Sequence, residues 1–195
     1  AIGQPDLMIW PETAVPGVLE IDADVTARLQ AVAAAVRAPM LVGAPMTRSD
    51  AQGFLHLTNS AALLNAEGVV ARYDKMHLVP FGEFIPFESI APWLRDALPP
   101  IGEFSPGREQ TIFRVPAPGR TVPLAVLICF EDVFPELARS AARQGARMLV
   151  TITNDAWFGP TAAAYQHAQA STLRAVELRV PMVRAANTGW SGCID

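Results

Sequence analysis

Three reactive side chains follow apolar, strand-like stretches of this chain. Glu12 comes shortly after the run DLMIW, Lys75 directly after VVARYD, and Cys129 directly after VPLAVLI. Open α/β sheets bind ligands beside the carboxyl ends of their strands, so these three side chains can converge. A cysteine nucleophile reacts as its thiolate, which requires a base to take the proton and a positive charge to stabilise the anion. Cys129 is therefore a candidate nucleophile, with Glu12 as its base and Lys75 as its cation.

Each of these residues, taken alone, also fits an ordinary structural role. A cysteine at the end of an apolar strand is more often a small buried hydrophobic residue than a nucleophile. A single glutamate after a proline, or a single lysine after a strand, usually faces solvent. The choice between catalysis and structure therefore depends on the elements that position the three residues and on the motifs around them.

The pattern of apolar residues predicts strands that alternate with helices. The predicted strands are residues 6–10, 40–45, 54–64, 69–75, 111–115, 122–129, 148–153, 182–186 and 191–194. The predicted helices are residues 22–38, 88–98, 135–144 and 162–179. The turn signal at residues 65–68 joins two of the strands into a hairpin. Strands that alternate with helices and include hairpins predict an α/β fold with a mixed sheet.

The composition narrows the class of protein. The 195 residues include 15 basic and 19 acidic side chains, a net charge of −4, so no basic face for nucleic acid is expected. Hydrophobic residues make up 51% of the chain, which suits a sizeable core. No apolar run reaches the roughly 18 residues that cross a bilayer. Two cysteines make no disulfide framework, and the three histidines lack metal-ligand spacing, so neither metal nor cofactor is expected.

Four ordered motifs resemble those of the nitrilase or carbon–nitrogen hydrolase superfamily: IWPET, YDKMHLVPFGEF, ICFED and NDAWFG. They are most similar to the branch of bacterial apolipoprotein N-acyltransferases, which is marked by the segments matching His77–Pro86 and Asn154–Gly159. The resemblance covers the chain from Pro5 to Asp195. It implies a nitrilase-like αββα sandwich with mixed sheets and a single catalytic domain over residues 1–195.

The resemblance also implies roles for individual residues. The Glu–Lys–Cys triad of the superfamily maps onto Glu12, Lys75 and Cys129. Acidic residues that match Glu83 and Glu131 support the triad in the family, although either one here can equally be a structural salt-bridge partner. In this arrangement Glu83 would orient Lys75 or the incoming amine, and Glu131 would hydrogen-bond backbone near the reacting oxygen.

The implied reaction has two half-reactions. The thiolate of Cys129 attacks a phospholipid ester and keeps the acyl chain as a thioester, and the α-amine of a diacylglyceryl-cysteine apolipoprotein then takes the acyl chain. Aromatic residues beside the motifs are expected to line the acyl-chain channel or to contact the bilayer surface, where aromatic side chains are favoured. They also fit a simpler role in packing on their own domain. These residues are Phe81, Phe84, Phe130, Trp157 and Phe158.

The family includes an N-terminal bundle of transmembrane helices. The resemblance thus implies a longer parent protein in the bacterial inner membrane, with this domain on the periplasmic side, and we expect the chain to be truncated at both ends. Two other hypotheses stay open. A soluble nitrilase-type amidase would resolve the Cys129 intermediate with water, and an inactive binding module would have lost at least one triad residue.

Overall fold

In its described residues, the first half of the chain forms one helix and a four-stranded sheet. The structure is a computed structural model that describes residues 4–86, 93 and 103–195. In chain order the elements are β1 (Met8–Ile9), α1 (Ala23–Val36), β2 (Met40–Ser49), β3 (Leu55–Asn65) and β4 (Gly68–Asp74). The strands lie in the order β1-β2-β3-β4, with β1 parallel to β2 and the other neighbours antiparallel. The predicted hairpin of β3 and β4 is confirmed.

The second half forms a five-stranded mixed sheet and two helices. Its elements are β5 (Ile112–Ala117), β6 (Arg120–Ile128), α2 (Pro135–Arg143), β7 (Met148–Thr153), α3 (Ala163–Leu178), β8 (Met182–Ala186) and β9 (Gly192–Ile194). The central strands β6, β7 and β8 are parallel, and both edge strands are antiparallel to their neighbours. Short 3-10 turns follow β6 at Cys129–Val133 and β7 at Asp155–Phe158.

Local sequence explains the bounds of α2. Pro135 is the first helical residue, where its missing N–H costs no helical hydrogen bond. Gly145 follows the end of the helix with a φ of 95°, a left-handed conformation that glycine adopts without strain. The helix predicted at residues 135–144 is therefore found at Pro135–Arg143.

Three buried apolar clusters define the layers. Side chains from both sheets, including Leu63 and Val126, fill the space between the sheets. The outer face of the first sheet packs against α1 through Leu29 and Ala33. The outer face of the second sheet packs against α2 and α3 through residues such as Leu137. The layers are helix, sheet, sheet and helices, so the predicted αββα sandwich is confirmed.

One detail differs from the sequence predictions, and one predicted helix cannot be compared with the structure. Asp22 precedes α1 as expected, but its carboxylate accepts a hydrogen bond from the backbone N–H of Val18 and makes no cap bond to the helix. The helix predicted at residues 88–98 lies outside the described residues, apart from position 93. In the part of the chain that is described, no helix has the length and apolar character needed to cross a membrane.

Candidate active site

Glu12 is held in the molecule by the loop after β1. This loop lies directly against Gly43 of β2, where a Cβ would come within 2.4 Å of the Pro11 carbonyl oxygen, so the close approach requires glycine. The Glu12 side chain is buried. Its Oε1 accepts a hydrogen bond of 2.8 Å from Asn59 Nδ2, and its Oε2 accepts one of 2.9 Å from the backbone N–H of Asn154. The carboxylate is thus fixed by β3 and by the residue that follows β7.

Lys75 immediately follows β4 and is 1% exposed. Its ammonium Nζ lies 3.3 Å from Glu12 Oε1 and 2.9 Å from Glu83 Oε2. Asn59 Nδ2 also donates to Glu83, at 2.7 Å, so one amide links both carboxylates. Burial alone would lower the pKa of Lys75, but the negative charges of Glu12 and Glu83, and that of Cys129 once it is ionised, outweigh burial and raise the pKa. The lysine therefore remains an ammonium ion.

Cys129 begins the 3-10 turn after β6, with a left-handed φ of 52°. The hydroxyl of Thr153 and the backbone N–H of Phe130 act on its sulfur, and both lower the pKa of the thiol. Burial and the nearby Glu12 carboxylate raise the pKa of the thiol to about 12, against the opposing effect of Lys75. The resting cysteine is therefore a thiol at neutral pH, and its attack on an electrophile requires a base. Glu12 is the carboxylate placed to act on it.

Glu131 is fully buried beneath this turn and accepts four hydrogen bonds. Its Oε1 accepts from the Tyr73 hydroxyl at 2.8 Å and from the backbone N–H groups of Met76 and His77 at 2.7 and 3.1 Å. Its Oε2 accepts from the N–H of Ile128 at 2.8 Å. Burial raises the pKa of Glu131, and the four donors act in the opposite direction. This side chain fastens the segment after Lys75 to the strand before Cys129.

Replacing Glu131 by alanine is expected to destabilise the fold. Glu131→Ala leaves buried backbone N–H groups without acceptors, and each unsatisfied group costs about 1–3 kcal/mol, so we expect a loss of about 3 kcal/mol or more. Pulse proteolysis of the complete gene product in urea measures this loss. Glu136→Ala is the matched control, because Glu136 makes only an exposed pair with Arg139 and its loss should cost less than about 1 kcal/mol. Equal losses for the two variants would contradict the anchoring role.

A second buried polar cluster lies behind the cysteine turn. His167 of α3 has its Nδ1 2.9 Å from Asp155 Oδ1 and its Nε2 3.0 Å from Asp132 Oδ1. Arg184 of β8 joins the same two carboxylates, at 3.1 Å from Asp132 Oδ2 and 2.8 Å from Asp155 Oδ2. The side chains of His167 and Arg184 pair with both aspartates inside the protein, where water does not screen the charges.

This cluster predicts a pH-dependent stability. Burial alone would lower the pKa of His167, but its hydrogen bonds to Asp132 and Asp155 raise it from 6.5 to about 9. A raised folded-state pKa stabilises the fold fully below pH 6.5, and this contribution is lost as the pH rises through 9. The thermal midpoint of the wild type should therefore exceed that of His167→Gln most below pH 6.5, with the difference shrinking toward pH 9. A difference that is constant with pH would contradict the shifted titration.

The structure brings together most of the residues singled out in the sequence. Glu12, Lys75, Cys129 and Glu83 interact in one buried site, and Glu131 lies beneath it. The aromatic residues lie on segments adjoining the site and are partly or largely exposed: Phe81 at 56%, Phe130 at 37%, Trp157 at 82% and Phe158 at 36%, with Phe84 half-buried. Exposed aromatic side chains thus lie on the segments that carry the site residues.

Sequence reasoning missed several partners of the site. Asn59 is a polar residue in the otherwise apolar centre of β3, and that interruption was a usable signal. Thr153 ends the buried strand β7 and reaches the cysteine sulfur. His167 was considered only as a metal ligand, and its pairing with two aspartates was not foreseen. Among the described residues, no group of His, Cys, Asp and Glu side chains is arranged to hold a metal ion.

The αββα sandwich agrees with the family comparison. The carbon-nitrogen hydrolase family matches residues 3–194, so the chain belongs to this family. Among solved structures, a mutant amidase of the nitrilase superfamily from Nesterenkonia has a TM-score of 0.63 with 22% sequence identity. That match covers 96% of this chain and 65% of the amidase chain. It supports the fold.

Curated relatives place the chain within one branch of the family. It is 43% identical over 196 residues to a protein named apolipoprotein N-acyltransferase from Geobacter metallireducens, which covers the whole chain and 37% of the relative. It is 40% identical over 192 residues to a protein of the same name from Methylococcus capsulatus, at 97% and 36% coverage. The chain thus spans about a third of the length of these relatives. The resemblance to the acyltransferase branch is confirmed.

Proposed function

We propose that this domain transfers a fatty acyl chain from a phospholipid to the N-terminal α-amine of diacylglyceryl-cysteine in bacterial apolipoproteins. The observation that carries the proposal is the identity of up to 43% to proteins named apolipoprotein N-acyltransferase, extending over the whole chain. The buried contacts among Glu12, Lys75 and Cys129 supply the chemistry that such a transfer needs. We assign these three residues as the catalytic triad.

In the first half-reaction, the Glu12 carboxylate takes the proton of the Cys129 thiol, and the sulfur attacks the ester carbonyl of the phospholipid. The negative charge that develops on the carbonyl oxygen is stabilised by the Lys75 ammonium and by the backbone N–H of Phe130. When the tetrahedral intermediate collapses, the C–O bond breaks and Glu12 returns its proton to the leaving alkoxide. A lysophospholipid departs and a thioester remains on Cys129.

In the second half-reaction, the α-amine of the apolipoprotein attacks the thioester and gives its proton to Glu12. The same two donors stabilise the second tetrahedral oxyanion. The C–S bond then breaks, and the departing thiolate of Cys129 recovers the proton from Glu12. The products are an amide on the apolipoprotein and the free thiol, so the triad is regenerated without a cofactor.

Supporting roles follow from the contacts of the two other glutamates. Glu83 accepts hydrogen bonds from Lys75 and from the backbone N–H of Val79, so it orients the ammonium toward the site. Glu131 holds the strand before Cys129 in place through the N–H of Ile128. Neither is assigned a proton-transfer step.

The exposed aromatic residues support a lipid as the acyl donor. Trp157 is 82% exposed and lies three residues after Asn154, whose N–H binds Glu12. Phe81 is 56% exposed and lies two residues before Glu83, which binds Lys75. Large aromatic side chains beside a catalytic cluster are unfavourable in water and favourable at an acyl chain or bilayer surface. We assign Phe81, Phe84, Phe130, Trp157 and Phe158 to the substrate-binding surface.

The proposed function also involves the longer protein to which this domain belongs. The chain spans about a third of the relatives' length, and we propose that the remainder supplies a membrane-embedded part. The domain of residues 1–195 would then lie on the periplasmic side of the inner membrane, where both substrates are presented.

The test is a transfer assay with the complete gene product. Vesicles that carry phospholipid with a labelled acyl chain are mixed with a diacylglyceryl-cysteine peptide, and mass spectrometry locates the label. We expect the acyl chain on the peptide α-amine, with the product absent in Cys129→Ala and retained in the matched control Cys193→Ala. Hydrolysis of small amides without acyl transfer would support the amidase hypothesis instead, and unchanged transfer by Cys129→Ala would contradict the triad.

A further inference from the structure

The buried cluster behind the cysteine turn contacts the peptide group of Cys129 itself. Nε2 of His167 lies 3.2 Å from the carbonyl oxygen of Cys129, as well as 3.0 Å from Asp132 Oδ1. The same peptide group carries the N–H of Phe130, which acts on the cysteine sulfur and opposes the rise in the thiol pKa. In a planar trans peptide the C=O and the N–H point in opposite directions. A side chain that holds the carbonyl oxygen therefore also sets the direction of the N–H.

The turn needs such support because its backbone is strained. Cys129 has a φ of 52°, a conformation that is unfavourable for a residue with a side chain and persists only where its surroundings enforce it. Glu131 holds the chain before the cysteine through the N–H of Ile128. His167 holds the chain after it, through the carbonyl of Cys129. The two contacts hold the backbone in place before and after the Cys129 Cα.

His167 is itself fixed in orientation. Its side chain is 5% exposed, and Asp155 binds its other ring nitrogen at 2.9 Å. Arg184, which is fully buried, bridges Asp155 and Asp132. The imidazole ring is thus held by three charged side chains from three different elements, the turns after β6 and β7 and the strand β8.

We propose that His167 is a positioning residue, which orients the Cys129–Phe130 peptide so that the N–H of Phe130 faces the sulfur and the oxygen of the tetrahedral intermediate. His167 acts through the backbone and does not itself touch the substrate. The consequence for acyl transfer rests on the proposed function, but the orientation of the peptide does not.

The experiment compares two neutral amide substitutions in the complete gene product. In His167→Gln the amide nitrogen reaches the place of Nε2 and can still donate to the Cys129 carbonyl. In His167→Asn the amide nitrogen lies near the place of Nδ1 and falls short of that carbonyl. Both variants lose the positive charge of the imidazolium, so a purely electrostatic or structural role would affect them equally. For the acyl transfer reaction we expect His167→Asn to lower kcat by about tenfold to a hundredfold with KM unchanged, and His167→Gln to stay close to the wild type.

Iodoacetamide labelling at about pH 9 gives a readout that requires no acyl substrate, with the exposed Cys193 of the same molecule as internal control. We expect the ratio of Cys129 to Cys193 labelling to fall about tenfold in His167→Asn, the effect of a one-unit rise in the thiol pKa, and to be retained in His167→Gln. Equal ratios in the two variants would overturn the proposal.

If the wild type lacks acyl transfer, the proposed function fails, while the labelling ratio of Cys129 to Cys193 still decides the role of His167. Should His167→Asn not fold, His167→Ala with added imidazole replaces it: restored labelling supports the role, and labelling that imidazole leaves unchanged contradicts it.

Discussion

Glu12→Gln is expected to lower the rate of acyl transfer by about 100-fold to 10,000-fold, the range for losing a general acid–base. The substitution removes the base that takes the thiol proton in one half-reaction and the amine proton in the other. It also removes the negative charge that raises the pKa of Cys129, while Lys75 stays in place to lower it. The thiol of Cys129 should therefore react with iodoacetamide at neutral pH at least as fast as in the wild type, although transfer is lost.

These opposite effects separate a catalytic role from simple unfolding. An unfolded variant would lose transfer but would label Cys129 and the exposed Cys193 alike. Glu67→Gln is the matched control, because Glu67 lies on the exposed turn between β3 and β4 and should leave both measurements unchanged. Transfer by Glu12→Gln within tenfold of the wild type would show that another group acts as the base.

Lys75→Arg is expected to lower acyl transfer by about 100-fold to 1,000-fold, as for the loss of an oxyanion donor, although it keeps the positive charge. Lys75 is the only lysine in the sequence, and the 14 other basic residues are arginines. Its ammonium is 1% exposed and fits between Glu12 Oε1 at 3.3 Å and Glu83 Oε2 at 2.9 Å. A guanidinium is wider and planar, and it cannot place a point charge in that space.

The control for this experiment is an exchange between arginine and lysine on the protein surface. Arg139→Lys exchanges the same two side chains at an exposed position of α2 and should leave transfer unchanged. A near-normal kcat for Lys75→Arg, measured with phospholipid vesicles and peptide, would show that the Lys75 ammonium does not stabilise the oxyanion. A change in KM alone would place Lys75 in substrate binding and not in the transition state.

Apolar periodicity predicted most of the helices and strands found in the described residues. The helix predicted at residues 162–179 is found at Ala163–Leu178, and the strand predicted at residues 148–153 is found at those residues. The same pattern predicted an α/β fold with a mixed sheet, and the αββα order of the layers followed from the family resemblance. The resemblance of four short motifs then located the candidate triad, since those motifs end the strands that converge on one edge of the sandwich.

The hydrogen-bond partners could not be predicted in this way. Asn59 joins Glu12 to Glu83 because the register of β3 turns its side chain toward the site, and register is a property of the paired strands. His167 meets Asp132 and Asp155 only after α3 packs against the turns that follow β6 and β7. Contacts between elements far apart in sequence depend on packing, which local patterns do not encode.

The central claim is that Cys129 carries the acyl chain between donor and acceptor. The measurement that tests it most directly is peptide mass spectrometry of the complete gene product after incubation with phospholipid vesicles and no acceptor. The account predicts a long-chain acyl adduct on Cys129 that hydroxylamine removes and that disappears when a diacylglyceryl-cysteine peptide is added, with the acyl group recovered on the α-amine. Acylated peptide formed with no adduct on Cys129, or an adduct that the peptide does not discharge, would contradict it.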